Sequence, residues 1–323
     1  MISDDLGRQF KTLRLSLTSA CNMACVYCVG HNGHQKKSAL ISARLGTEFL
    51  TPENYQLIVS RLHQILNLES VRLTGGEPTL YKSLVQLVGL LKETGVPKVE
   101  MTTNGIFLED IVNDLKTAGL DSLNVSLDTL DPDIFKRLNR QGNLQKILEG
   151  IEKSVQGGIE TKINCTVMRS YNEGEILPLL NYAFNLGIVI RFLELMKMGP
   201  LYQNASFPDY FFSEAEILAE IGKRYQYHPL TRQKSATAHY YLAEAGKKFG
   251  VIANETAPFC RDCDRLRLDS RGILYGCLSV NQGFPVGPGI SNDDLEYLLR
   301  QALGQKQRDR FHGSPLSMIA IGG

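Results

Sequence analysis

Six short β-rich runs, helix-length apolar patterns between them and glycines that close those patterns predict an α/β fold of repeated strand–helix units. Six such units suggest an incomplete (β/α)6 barrel of the TIM type, followed by a smaller C-terminal domain. The spacing alone is also compatible with an open doubly wound sheet.

The runs are Leu13 to Thr18, Val71 to Thr74, Val99 to Thr103, Ser122 to Asp128, Thr161 to Met168 and Ile190 to Met196. Each reads as a buried parallel strand. Helical patterns fill the intervals at Pro52 to Leu66, Ser83 to Glu93, Asp110 to Ala118, Leu144 to Gln156 and Glu173 to Leu186. Gly95, Gly119, Gly157 and Gly187 follow the last apolar turns of four of them, as helix stops do. Beyond Met196 the pattern weakens. Pro200 to Pro208 is loop-like, Ser213 to Arg224 is helical and Tyr225 to Ser235 has no period, so the domain change is placed there. Residues 1–235 form the barrel unit and 236–323 the C-terminal unit, whose last helical pattern is Asp293 to Leu303. The second unit is too short for a large core of its own and is expected to pack on the barrel.

Composition narrows the function. A chain of 323 residues with net charge +1, 43% hydrophobic and 21% charged residues buries a large core and offers no broad surface for nucleic acid or anionic membrane. Any anion it binds must meet a local cluster of basic residues. The seven cysteines, at 21, 25, 28, 165, 260, 263 and 277, form two groups of three plus one. That is a poor match to a secreted disulfide framework and points to a reducing cytoplasm. The acidic start Met1-Ile2-Ser3-Asp4-Asp5 and the lack of a long apolar run argue against a signal peptide or membrane span.

Chemistry in a β/α barrel gathers where strands end. Strand one leads into the cysteine loop, strand two into Gly75-Gly76-Glu77-Pro78, strand three into Thr102-Thr103-Asn104-Gly105 and strand four into Ser126-Leu127-Asp128. Strand five carries Lys162 and Asn164, and strand six carries Arg191, Glu194 and Met196. Cations inside apolar strands are costly unless paired or functional. A Gly-Gly after a strand is more often a turn than a binding loop, yet it also lets a ligand approach the backbone.

Cys21-Asn22-Met23-Ala24-Cys25-Val26-Tyr27-Cys28 is a C-x3-C-x2-C motif supplying three thiolates. On a 4Fe–4S cluster that leaves one iron without a protein ligand. A zinc site closed by a distant fourth ligand is the plainer reading. Together with Gly75-Gly76-Glu77-Pro78, the motif resembles the radical S-adenosylmethionine superfamily, in which the cofactor's amino and carboxylate groups occupy the open iron.

Cys260, Cys263 and Cys277 form a second triad that reads equally as zinc or iron–sulfur, with His312 as a remote fourth ligand. Cys165, within a strand, reads as a small buried hydrophobe. In Asp264-Arg265-Leu266-Arg267-Leu268, alternation puts two guanidiniums on one face, which suits either a polyphosphate or a solvated strand edge.

Taken in order, Arg14-Leu15-Ser16, the first cysteine motif, Arg72 to Pro78, Thr103-Asn104-Gly105, Ser126-Leu127-Asp128, Lys162-Ile163-Asn164, Arg191 to Met196, Phe259 to Cys277 and Gly322-Gly323 resemble the GTP 3′,8-cyclase family of molybdenum-cofactor biosynthesis. The resemblance spans essentially the whole chain. It implies two 4Fe–4S clusters, on Cys21, Cys25 and Cys28 and on Cys260, Cys263 and Cys277, with guanine at the open iron of the second. It implies that Tyr27, Gly76, Ser126 and Met196 contact S-adenosylmethionine. It further implies that Arg14, Arg72, Thr102, Lys162, Arg265, Leu266 and Arg267 surround GTP, with Arg191 as an added candidate. The expected activity is a radical lyase reaction converting GTP to (8S)-3′,8-cyclo-7,8-dihydroguanosine 5′-triphosphate. Its partners would be an electron donor such as flavodoxin or ferredoxin and, downstream, cyclic pyranopterin monophosphate synthase, with a homodimer also compatible. The tail Gly322-Gly323 would reach the active site.

The chain departs from the family pattern at Ser19-Ala20, Val29-Gly30, Ser70, Asp264 and in a longer loop from His31 to Glu48 that carries Lys36, Lys37 and Arg44. A paralogue acting on a peptide or another nucleotide, or a non-catalytic iron or zinc protein, would share the cysteine pattern.

Overall fold

The computed structural model describes residues 2–29 and 50–321. The loop from His31 to Glu48 and the Gly322-Gly323 tail lie outside the described residues. Six strands, β1 (Thr12–Ser16), β2 (Ser70–Thr74), β3 (Lys98–Thr103), β4 (Ser122–Ser126), β5 (Glu160–Thr166) and β6 (Val189–Leu193), pair in parallel in chain order. Strand order never reverses among them, so the doubly wound alternative, which requires a switch point, is excluded.

Helices alternate with these strands: α1 (Val26–Val29), α2 (Pro52–Leu66), α3 (Leu84–Glu93), α4 (Leu108–Thr117), α5 (Pro132–Asn139), α6 (Leu144–Gln156) and α7 (Ile176–Asn185). In α2 the buried residues Tyr55, Ile58, Val59, Leu62 and Leu66 recur at helical spacing. Each large apolar side chain so placed contributes about 1.5–3 kcal/mol of burial. Thr51 caps the helix by accepting from the Asn54 amide, with Pro52 in the first turn. Helix α5 is an addition to the sequence expectation. Asp131 caps it by accepting from the amides of Asp133 and Ile134, and Pro132 starts it.

The C-terminal third adds α8 (Phe207–Tyr210), α9 (Glu214–Gly222), strands β7 (Tyr227–Pro229), β8 (His239–Ala243), β9 (Lys248–Ile252), β10 (Arg265–Leu268), β11 (Ile273–Tyr275) and β12 (Phe284–Pro285), then α10 (Asn292–Gly304) and α11 (Met318–Ile321). Its strands join the same sheet at both ends. β9 pairs parallel with β6, and β10 pairs parallel with β1, giving the order β12-β11-β10-β1-β2-β3-β4-β5-β6-β9-β8-β7.

Alternation along the strands separates two faces. Leu13, Leu15, Val71, Leu73, Leu266 and Leu268 are fully buried in the main core, while Arg14, Arg72, Thr102, Arg191, Arg265 and Arg267 line one hollow. Residues from β10 and β9, near opposite ends of the strand order, line that same hollow, so the sheet curls into an incomplete barrel. Among the described residues no helix is long and apolar enough to cross a membrane.

Candidate active site: two cysteine triads over one barrel mouth

Two adjoining hollows occupy the mouth, spanning about 780 Å³ and about 950 Å³ with the open solvent at their entrances included. Thr102 and Met318 line both.

The first hollow is built by the loop after β1. Cys21, Cys25 and Cys28 line it together with Tyr27, Gly75, Gly76, Ser126 and Asn139. The Cys28 amide donates to the Cys25 carbonyl at 3.0 Å, opening the short helix α1. Gly75 and Gly76 allow a close approach, but part of what approaches is the chain itself. A Cβ on Gly76 would sit 2.2 Å from the Ala20 carbonyl oxygen, and the Glu77 amide donates to that same oxygen at 2.8 Å. The glycines therefore clamp the strand-two loop onto the cysteine loop. Glu77 is a structural tie, buried and accepting from Thr79, from the Thr103 hydroxyl at 2.7 Å and from the Asn104 amide at 2.7 Å. Tyr27 donates to Asp128 at 2.8 Å, which fixes the ring against the hollow.

All seven cysteines are free thiols. In the first triad burial pushes the thiols up, Cys28 to about 12, so they give up their protons readily only to a metal. Amide donors face the sulfurs, with Asn139 Nδ2 3.1 Å from Cys25 Sγ and Asn104 Nδ2 3.9 Å from Cys21 Sγ. Soft sulfur donors backed by such hydrogen bonds fit an iron–sulfur cluster.

Cys260, Cys263 and Cys277 line the second hollow. Three anchors set them. Arg8 donates to the Cys260 carbonyl at 3.0 Å, Arg232 holds Asp262 through two bonds at 3.0 and 2.7 Å, and α10 packs on Gly276. A Cβ on Gly276 would lie 1.7 Å from the Ala302 oxygen, so only glycine lets Cys277 reach its place. Burial raises the Cys260 thiol to about 11. At Cys263 burial also pushes upward, but Arg265 and Lys306 bring the thiol down to about 6.

Strand register gathers the cations. Arg267, Arg14, Arg72 and Glu100 stand side by side across β10, β1, β2 and β3. Arg72 pairs with Glu100 at 2.7 Å, and Arg191 donates to Asn164 at 2.9 Å and Asn124 at 2.7 Å. Arg265 lies over the Phe259 ring, 4.8 Å from its centroid. Burial, then Arg267, Arg72, Arg265 and Arg191, hold the Arg14 guanidinium well below its ordinary range. Arg14 Nε, Arg72 Nε and Asn254 Nδ2 are buried with no hydrogen-bond partner among the described residues. Crowded cations with spare donors fit an anionic ligand.

The other sequence-derived candidates fall as follows. Thr102 stands in both hollows, and Met196 lines the second rather than the first. Lys162 pairs with Glu160, and its side chain is not part of either lining. Leu266 points into the core, leaving only its backbone toward the mouth. Ser70 and Asp264, two of the departures, flank Thr12. The Ser70 hydroxyl donates to Thr12 Oγ1 at 3.4 Å and Thr12 donates to Asp264 at 3.3 Å. Sequence reasoning did not find Asn139, Asn254, Thr237, Phe311, Lys306 or Met318. The N-cap signature at Asp131-Pro132 marks the start of the helix that carries Asn139 but not its contact with Cys25, which, like the others, depends on long-range packing that leaves no local signal.

A parallel partial barrel with three free cysteines on its first loop is the architecture of the radical S-adenosylmethionine enzymes, and the Radical SAM superfamily model matches residues 15–183. A second model, Molybdenum Cofactor Synthesis C, matches residues 188–312. The fold is similar to that of Streptococcus suis SuiB bound to S-adenosylmethionine (TM-score 0.65, 14% identity, covering 92% of this chain and 68% of that one). It is also similar to that of anSMEcpe with bound AdoMet (TM-score 0.61, 16% identity, covering 95% and 92%). Among curated proteins, the GTP 3′,8-cyclase of Aquifex aeolicus (strain VF5) is 35% identical over 91% of this chain and 90% of its own length. That of Synechocystis sp. is 35% identical over 99% and 94%. The chain belongs to the GTP 3′,8-cyclase family, whose members use S-adenosylmethionine and two 4Fe–4S clusters.

Proposed function

We propose that this protein converts GTP to (8S)-3′,8-cyclo-7,8-dihydroguanosine 5′-triphosphate, the first step of molybdenum-cofactor biosynthesis, and that the two hollows divide the work. The observation that carries the substrate reading is the second hollow. Among the described residues, its lining holds five arginines, at 14, 72, 191, 265 and 267, and no carboxylate, beside the second cysteine triad.

Cys21, Cys25 and Cys28 hold a cluster that, with S-adenosylmethionine bound, supplies the 5′-deoxyadenosyl radical for hydrogen abstraction at C3′ of GTP. Tyr27, Gly76 and Ser126 wall the S-adenosylmethionine pocket, with Met196 on the adjoining substrate hollow. Arg14, Arg72, Arg265 and Arg267 bind the triphosphate, aided by Arg191, while Lys162 stays with Glu160 outside the lining; Thr102 sits where cofactor and substrate meet. Cys260, Cys263 and Cys277 would hold the second cluster, which would supply an anchor for guanine, and the arginines would hold the other end of the substrate, an orientation task that favours two anchored ends. Residues 1–235 act as the radical-generating unit and 236–323 as the unit that carries the second cluster. S-adenosylmethionine cleavage consumes one electron, and quenching the cyclised product radical takes a second electron and a proton; a flavodoxin or ferredoxin would supply both electrons in the cytoplasm, and water the proton. The product would pass to cyclic pyranopterin monophosphate synthase.

Anaerobic incubation of reconstituted protein with reductant, S-adenosylmethionine and GTP tests this. The expected result is GTP-dependent 5′-deoxyadenosine and a product of the same mass as GTP, with about eight irons per chain for two clusters. 5′-Deoxyadenosine formed with GTP untouched would favour a paralogue with another substrate.

A further inference from the structure

Lys306, just beyond α10, is 7% exposed. Its ammonium donates to Cys263 Sγ at 3.2 Å and to the Arg265 carbonyl at 3.0 Å, and it lies over the Phe10 ring, 4.9 Å from the centroid. A buried ammonium is costly unless a negative group faces it. Here that group is the sulfur of a cysteine in the second triad.

The first triad is furnished differently. Neutral amides of Asn139 and Asn104 face its sulfurs, and the buried carboxylates Glu77 and Asp128 stand close by. Hydrogen bonds to ligand sulfurs and local charge are the protein's levers on an iron–sulfur potential. Adding an electron makes a cluster more negative, so a fixed cation beside it favours the reduced state.

We propose that Lys306 is a positioning residue that tunes the second cluster. Its ammonium makes the cluster on Cys260, Cys263 and Cys277 easier to reduce, and its grip on the Arg265 carbonyl keeps Cys263 in register with the arginine strand. The inference rests on the cluster reading of that triad and is independent of the identity of the substrate.

The test is a potentiometric titration of the holoenzyme followed by electron paramagnetic resonance, for wild type, Lys306→Met, Lys306→Gln and Lys306→Arg. Added S-adenosylmethionine marks the first cluster's signal by perturbing it. In Lys306→Met the second cluster's midpoint is expected to move to more negative potential while the first stays put. Lys306→Gln, which keeps an N–H donor without the charge, falls between, and Lys306→Arg restores most of the wild-type value. An unchanged second midpoint in both neutral variants overturns the proposal, as does an equal shift of both clusters. Failure of both neutral variants to retain the second cluster also overturns tuning, replacing it with a role in assembly. Wild-type protein with a single cluster would instead refute the reading on which the inference stands.

Discussion

Replacing Arg267 with methionine should make the unliganded protein more stable while weakening its substrate complex. Burial, then repulsion from Arg265, pulls the Arg267 guanidinium from 12.5 to about 10, against the opposing pull of Cys263 and Cys277. At about 1.36 kcal/mol per tenfold, the charged form costs the unliganded fold on the order of 3 kcal/mol. Because the folded value lies below the unfolded one and both lie far above neutrality, this cost is fully present at pH 7 and fades only as pH rises through about 10. Methionine follows the arginine stem, but the bond from Arg267 Nη1 to the Ile321 carbonyl at 3.4 Å is lost, and allowing about 1.5 kcal/mol for imperfect packing and about 1 kcal/mol for that bond leaves a net gain of at most about 1 kcal/mol. Binding moves the other way. A lost charge-assisted bond to phosphate is worth about 1.5–3 kcal/mol, or roughly a 10- to 150-fold weaker Kd. Anaerobic unfolding with and without GTP, together with calorimetric titration of GTP, reads both quantities. A variant that is less stable without ligand and binds GTP as the wild type does would refute the reasoning.

Three further outcomes are expected. Gly76→Ala forces a Cβ to within 2.2 Å of the Ala20 oxygen and 2.8 Å of the Ser19 oxygen. The clash should cost about 1–3 kcal/mol and displace the first cysteine loop, so that S-adenosylmethionine binding falls while the second cluster's spectrum persists. Asn254→Ala removes a buried amide whose Nδ2 has no hydrogen-bond partner among the described residues and which lines the substrate hollow. GTP affinity should drop roughly 2- to 12-fold, the equivalent of about 0.5–1.5 kcal/mol, with iron content unchanged, and equal affinity would remove Asn254 from the site. Glu216 is held at about 2, below its ordinary 4.5, by the Arg169 guanidinium and then by the Ser213 amide at the cap of α9. Its stabilisation is therefore present above pH 4.5 and lost as pH falls from there toward 2. With the side chain 40% exposed, solvent screening limits the loss in Glu216→Gln to under about 1 kcal/mol. Urea midpoints of wild type and variant should differ at pH 7, keep most of that difference at pH 4 and converge only as pH approaches 2.

Local signals carried the six barrel strands. Their apolar residues are contiguous enough to mark a buried strand, and Gly95, Gly119 and Gly187 adopt the left-handed conformation that a helix stop needs. The span from Tyr227 to Ile252 was not legible as strands because β7 and β8 are short and only partly buried, so no period of two stands out. Chemistry near each cysteine was readable from spacing, whereas the groups that tune the sulfurs were not. Asn139 lies 114 residues from Cys25, and Lys306 lies 43 residues from Cys263. Gly75-Gly76 illustrates the difference in another way. The motif reads as a place where a ligand approaches the backbone, yet its tightest contact is with the chain's own backbone at Thr18 to Ala20.

The separation of the two triads depends on a pairing that no local pattern encodes. β1 ends at the first cysteine loop, and β10 begins two residues after Cys263. These strands are locked side by side through Thr12–Arg265, Leu13–Leu266, Arg14–Arg267 and Leu15–Leu268. Slipping that register by one residue would turn Arg265 and Arg267 into the core and Leu266 and Leu268 toward the anion. Slipping it by two would restore the faces but shift the second triad by about 6.6 Å relative to the first, more than the reach over which a bound ribose could still meet the radical. The core leucines on one face of β10 therefore serve the chemistry on the other. By making any slip expensive, they fix both the cations that hold the triphosphate and the distance between the two ends of the substrate.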